Sequence, residues 1–248
     1  MKIDLNCDLG ESFGRYTLGD DAALMPLITS ANIACGFHAG DAGVMQATVR
    51  LAKQYNVAIG AHPGWPDLQG FGRREMSLSP AEAEAIVLYQ IGALAGIARA
   101  EGVDLRHVKP HGALYNQASV DADLARAIAA AVKQFNPYLI LVGLAGSRLI
   151  EAGRAAGLRV AQEAFPDRGY DADGTLMARG LTGALVESPE EVAANAVRLA
   201  KEGMLFGSER VPVDTLCLHG DHVHAAPNAR MIRESLSKEG IEIRGLRG

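Results

Sequence analysis

Five of the seven histidines, His38, His62, His111, His219 and His222, stand at or just past the C-terminal ends of short apolar runs. Carboxylates and one lysine share those places. Imidazole is the side chain that exchanges protons near neutral pH, and it is also a metal ligand. Imidazoles gathered beside carboxylates can perform general acid–base or metal-assisted hydrolysis. The first block is Asn6-Cys7-Asp8-Leu9-Gly10-Glu11. Asp8 and Glu11 can ligate a metal, act as a base or orient a histidine; a plain Asx turn is the alternative. The second, Asn32-Ile33-Ala34-Cys35-Gly36-Phe37-His38-Ala39-Gly40-Asp41, brings His38 to a helix start, where free N–H groups suit an anion. Asp41 is also placed to cap that helix.

The third block runs from Gly60-Ala61-His62-Pro63-Gly64 to Gly70-Phe71-Gly72-Arg73-Arg74. Such a long glycine- and proline-rich loop after a strand is suited to binding. Arg73 or Arg74 can clamp a carboxylate with two parallel hydrogen bonds. The fourth, Val108-Lys109-Pro110-His111-Gly112, sets a lysine on the inward face of a strand, where it must be paired or functional. It can stabilise an oxyanion, or simply form a salt bridge to Asp8 or Glu163. Glu163 opens the fifth block and His219-Gly220-Asp221-His222-Val223-His224 forms the last. This final cluster is dense enough to hold a metal, but it has neither the HExxH spacing nor thiolate partners. A serine nucleophile elbow, a Walker loop and a CxxC pair are absent from the sequence.

These residues need a scaffold that brings strand ends together. Strand-like runs cover 2–7, 32–35, 57–61, 106–109, 138–142, 158–162 and 214–218. Helical patterns cover 20–29, 42–55, 80–102, 120–135, 147–157, 189–203 and 226–239. Ser79-Pro80 gives the third helix an N-cap with proline behind it; Ser188 and Glu191 have the spacing of a capping box. Strict β–α alternation implies a parallel sheet, either open or closed. No glycine-rich dinucleotide fingerprint follows the first strand. Within 3–8, Ile3, Leu5 and Cys7 alternate with Asp4, Asn6 and Asp8. An open sheet covered on both sides would be apolar on both faces. A barrel turns one face inward, so the polar face predicts a hollow, functional interior.

At 248 residues the length suits one α/β barrel, and we expect a single catalytic domain over 1–248. The net charge of −5 argues against a nucleic-acid face. Cys7, Cys35 and Cys217 lie in apolar runs, which suits a reducing compartment. The N-terminus lacks the apolar stretch of a signal peptide, and no uninterrupted apolar run is long enough to span a membrane. A cytoplasmic location is the expectation.

In order along the chain, Asp4–Glu11, 31–41, 60–66 with 70–74, 108–116, 163–170 and 217–221 resemble the LamB/YcsF lactam-utilisation family. The resemblance implies a distorted seven-stranded parallel β/α barrel, similar to glycoside hydrolases and polysaccharide deacetylases. It implies ATP-dependent opening of 5-oxo-L-proline (pyroglutamate) to L-glutamate, as the A subunit of a 5-oxoprolinase that works with the B and C subunits. ATP would be used by the complex, since this chain has no phosphate loop. The expected inner set is Asp8, His38, His62, Lys109 and His111. Asn6, Glu11, Asp41, Arg73, Glu163, His219 and Asp221 would stand around the substrate. Two other readings remain open. One is a metal-dependent amidohydrolase or carbohydrate deacetylase using Asp8, His62 and His111 around a divalent ion. The other is a non-catalytic substrate-binding component.

Overall fold

The structure is a computed structural model that describes residues 1–219 and 225–246, with the side chain of His219 outside that description. The strands are β1 (Lys2–Leu9), β2 (Ser30–Ala34), β3 (Ala58–His62), β4 (His107–Val108), β5 (Ile140–Leu144), β6 (Arg159–Ala164), β7 (Met204–Phe206), β8 (Glu209–Val211), β9 (Thr215–His219) and β10 (Glu242–Ile243). The helices are α1 (Asp21–Leu24), α2 (Ala42–Gln54), α3 (Pro80–Ala100), α4 (Gly112–Val120), α5 (Ala122–Phe135), α6 (Arg148–Ala155), α7 (Pro189–Glu202) and α8 (Ala225–Lys238). Strands β1, β2, β3, β4, β5, β6 and β9 pair in parallel in that order, and β9 returns to β1. The result is the closed, seven-stranded barrel that the alternation of the first strand implied.

The barrel is distorted for local reasons. β4 contributes only His107 and Val108 to the ladder. Pro110 follows shortly after and has no N–H to donate. β6 and β9 share only Glu163–Thr215 and Ala164–Leu216. β7 and β8 form an antiparallel hairpin outside the barrel that the sequence pattern did not suggest. α4 was equally unforeseen. The stretch 20–29 is less helical than its pattern, a single α-turn running into a 3-10 turn at Met25–Leu27.

Outward faces of the strands meet the helices in one apolar core that includes Ile3, Leu5, Cys7, Ile33, Val108 and Leu216. Burying each large apolar side chain stabilises the fold by roughly 1.5–3 kcal/mol. All three cysteines are buried and unpaired. The Ser79 cap forms with its capping box closed by Glu82. Ser188 caps α7 by accepting from the Glu191 N–H, while its hydroxyl turns to Glu190 rather than completing a box with Glu191. By length and composition α3 matches a membrane-crossing helix, yet Ala83, Val87, Ile91, Leu94 and Ala98 lie buried in the core.

The interior corrects one expectation. It is polar, as the alternation indicated, but it is filled rather than hollow. Asp4 accepts hydrogen bonds from Thr29 and Ser30 at 2.7 Å and from Thr215 at 2.5 Å. Asn6 donates to Glu163 at 2.9 Å and to Thr215 at 2.6 Å. Asn32 donates to Asn6 and to Asp8, and His107 donates through Nε2 to Asn32 at 2.7 Å. Gly60 makes room for that ring, because a Cβ there would sit 2.1 Å from His107 Nε2. Buried polar groups are tolerated when they are mutually satisfied, and such a network fixes the strand register.

Candidate active site

Above this polar plug, at the C-terminal ends of β1 to β4, the interior opens into a cavity of about 300 Å³. Asp8, Glu11, His62, Lys109 and His111 line one side, and Arg73, Arg168 and Arg179 line another. This is the end of a parallel barrel where catalytic groups gather.

Lys109 is the pivot. Its Nζ lies 2.9 Å from Asp8 Oδ1, 3.0 Å from Glu163 Oε1 and 2.9 Å from Cys217 Sγ. Burial alone would lower its pKa, but the carboxylates of Asp8 and Glu163 outweigh that and hold it well above the usual lysine value. The group is an ammonium clamped between two carboxylates. Burial and Asp8 push the Cys217 thiol up, so it faces Lys109 as SH.

The histidines form a stack. The rings of His38 and His111 are parallel, with centroids 3.7 Å apart. His62 stands edge-on to both. His62 Nδ1 is 2.7 Å from the Lys109 carbonyl, which can only accept, so that nitrogen carries the proton. His111 Nε2 donates in the same way to the Phe71 carbonyl at 2.8 Å. The remaining nitrogens, His62 Nε2 and His111 Nδ1, face each other at 3.0 Å. Asp8 Oδ2 is 3.3 Å from His62 Nε2, and Glu11 Oε1 is 3.3 Å from His38 Nε2 and 3.6 Å from His111 Nδ1. Burial, then the neighbouring imidazoles, holds the pKa of His38 and His111 well below the ordinary value. With His62 Nδ1 and His111 Nε2 committed to carbonyls, these two facing nitrogens are the ones left to share a proton or to bind a cation.

Glycines allow this crowding. Gly72 has φ +64°, and a Cβ on it would come within 2.7 Å of His38 Cβ and 2.9 Å of His111 Cδ2. Phe71, at φ +56°, presents the carbonyl that His111 uses. Gly72→Ala is expected to cost at least about 1–2 kcal/mol from the left-handed backbone alone. Ring displacement should add to that loss. A denaturant midpoint and the turnover rate of the variant check both effects.

The structure brings together Asp8, Glu11, His38, His62, Lys109, His111 and Glu163, and sets Arg73 on the cavity wall over the Phe71 ring. Asn6 lies deeper, in the plug, beneath Lys109. Asp41 caps α2 through the N–H groups of Gly43 and Val44 and also binds Gly14 N–H. Arg74 is ion-paired with Asp67. Asp221, His222 and the side chain of His219 lie outside the described residues. The metal-ligand set shifts: Glu11, His38, His62 and His111 converge within 4.8 Å of one another, whereas Asp8 stands beside that set and pairs with His62 and Lys109. Tyr115 was missed. It lines the cavity with its hydroxyl beside Glu163, and both the Tyr115 hydroxyl and Glu163 Oε2 lack a well-formed hydrogen bond. It stands four residues after His111 and shares its side of α4, a helix that no side-chain cap marks in the sequence. Arg168 also went unassigned; it is buried and donates to the carbonyls of Ala184 and Met177.

Known proteins resemble this chain along its whole length. Residues 3–248 match the LamB/YcsF family. A protein of Methylococcus capsulatus, named as the A subunit of 5-oxoprolinase, is 58% identical, covering 99% of this chain and 96% of that protein. Proteins of the same name from Pyrococcus furiosus and Bacillus subtilis are 53% and 52% identical, over 98% of this chain and 97% and 96% of theirs. The crystal structure of a lactam utilization protein from Thermus thermophilus superposes with TM-score 0.91 at 53% identity, covering 99% of this chain and 100% of that one. The catalytic domain of a peptidoglycan N-acetylglucosamine deacetylase from Eubacterium rectale shares the fold, with TM-score 0.53 at 12% identity, over 99% of this chain and 88% of that domain. With the match running through every segment that builds the cavity, the chain belongs to the LamB/YcsF family.

Proposed function

We propose that this chain is the A subunit of an ATP-dependent 5-oxoprolinase and that its cavity performs the hydrolytic opening of the lactam ring. The observation that carries the reading is the buried array of Asp8, Glu11, His38, His62, Lys109 and His111, in a chain similar end to end to proteins of that name. A five-membered lactam keeps its amide resonance and resists water. Phosphorylation of its oxygen, with ATP used elsewhere in the complex by the B and C subunits, makes the carbonyl carbon a better electrophile. Water then adds to that carbon: a C–O bond forms, the C–N bond breaks with the ring nitrogen taking up a proton, and the resulting acyl phosphate is cleaved by a second water, which releases inorganic phosphate and leaves the carboxylate of glutamate. The facing nitrogens of His62 and His111 receive the proton from water, and Asp8 stabilises the imidazolium beside it. Lys109 supplies the fixed positive charge at the oxygen side. Each of these two functions is worth about 10²–10³-fold. Arg73, Arg168 and Arg179 face the cavity where the substrate carboxylate would lie.

A second reading draws on the same pair of facing nitrogens. Glu11, His38, His62 and His111 have the donor types for a divalent cation and would hold one. Such an ion would supply Lewis acidity to the substrate carbonyl.

The test is glutamate formation from 5-oxo-L-proline and ATP by this chain with the B and C subunits, each omitted in turn. Turnover only with all three present supports the proposal; no glutamate from the full set contradicts it. Activity of this chain alone that needs no ATP and disappears with a chelator would replace it with a metal amidohydrolase.

A further inference from the structure

On the barrel wall, away from the cavity, α3 turns one face to solvent. Glu82, Ala85, Tyr89, Gly92, Gly96 and Arg99 are exposed along it. They recur at spacings of three, four, three, four and three. That is the rhythm of a coiled-coil seam, on the side of the helix opposite its own core residues. Solvent-facing helices of water-soluble proteins carry charge on the outer face. Here residues 85–98 contain no charged side chain at all.

The two glycines are the second anomaly. Glycine inside a helix is less favourable than alanine. At both Gly92 and Gly96 an added Cβ would meet nothing within 4 Å, so the chain's own packing gives no reason for them. Glycines at i and i+4 do have a use when another helix must approach closely. Tyr89 stands beside them, 64% exposed, its ring tilted on Phe37 at 5.3 Å. Phe135 and Tyr138 lie exposed past the Arg99 end, in a groove that also carries Asp104, Arg106 and Arg159.

We propose that this face binds a second copy of the chain, with the two α3 helices antiparallel about a two-fold axis between Gln90 and Ile91. The seam is self-complementary about that point. Glu82 falls opposite Arg99, Ala85 opposite Gly96, and Tyr89 opposite Gly92. Each pair joins opposite charges or sets a larger side chain against a smaller one, twice per dimer. An isologous interface has to satisfy this condition, because the same patch serves both partners. A partner of unrelated sequence would not require it.

Sedimentation of the full chain over a range of concentrations tests the proposal. The wild-type chain should dimerise. Gly92→Arg, which has open space in the monomer, should keep the native circular dichroism spectrum and raise the dissociation constant at least about tenfold. The register is read separately by cysteine pairs. Oxidised Ala85→Cys/Gly96→Cys should give a covalent dimer, while Ala85→Cys alone should not. The native cysteines are buried and do not compete. A monomer at all concentrations overturns the proposal, as does a dimer unaffected by Gly92→Arg. So does a face covered only when the other oxoprolinase subunits are added, or one that takes the chain onto lipid vesicles. None of these outcomes depends on turnover, so the interface and the lactam reading fail separately.

Discussion

Lys109→Met should abolish lactam turnover and lower the unfolding free energy by about 3–5 kcal/mol. Methionine nearly matches the lysine stem in length, so the loss is of charge rather than volume. In the native site Asp8 Oδ1 and Glu163 Oε1 lie 2.9 and 3.0 Å from the ammonium, and all three groups are buried. Removing the cation leaves two carboxylates facing each other with no positive charge between them. One of them must then take up a proton, at the cost of losing its place in the network. Denaturant melts at neutral pH measure the effect, and the variant should recover part of its stability as the pH falls and a carboxylate protonates. A midpoint within error of wild type would mean that the clamp contributes nothing to the fold.

Acid should weaken the fold through the histidine plug. Burial lowers the pKa of His107 to about 3, against about 6.5 for a free imidazole. A base with a depressed folded pKa binds fewer protons folded than unfolded in the window between the two values. Stability is therefore fully present above about pH 6.5 and falls as the pH drops below it. At pH 5 His107 alone accounts for a loss of about 2 kcal/mol. His38 and His111 shift in the same direction and add to it. Asp4, whose pKa burial raises, acts with the opposite sign. Comparing wild type with His107→Gln between pH 7.5 and 5 isolates the one ring; equal slopes for the two would contradict this assignment.

The inner faces of the strands were readable from the sequence because each needs only local alternation. Asp4, Asn6 and Asp8 point inward as period two requires, and His62, Lys109 and His111 follow from the ends of their own strands. What joined them was not local. The Lys109–Cys217 contact spans 108 positions and the Asn6–Thr215 hydrogen bond 209, so only the closed barrel brings them together. The hollow interior was misjudged for a related reason. Small or polar residues on a strand leave space only if no neighbour fills it, and the His107 ring fills what Gly60 vacates. Asp41 had two uses open to it, and backbone N–H groups two and three residues away satisfied it before any ligand. Tyr115 was hidden because α4 starts at Gly112, directly behind His111, with no side-chain cap to mark it.

The most direct test is single-turnover formation of glutamate by the three-subunit complex carrying Asp8→Asn in this chain, with ATP consumption followed in the same sample. Asparagine preserves shape and a hydrogen-bonding oxygen but removes the charge that balances Lys109 and stabilises His62. The account predicts a fall of about 10²–10⁴-fold in glutamate formation with the chain still folded. Glutamate forming at the wild-type rate would place the chemistry somewhere other than this cavity.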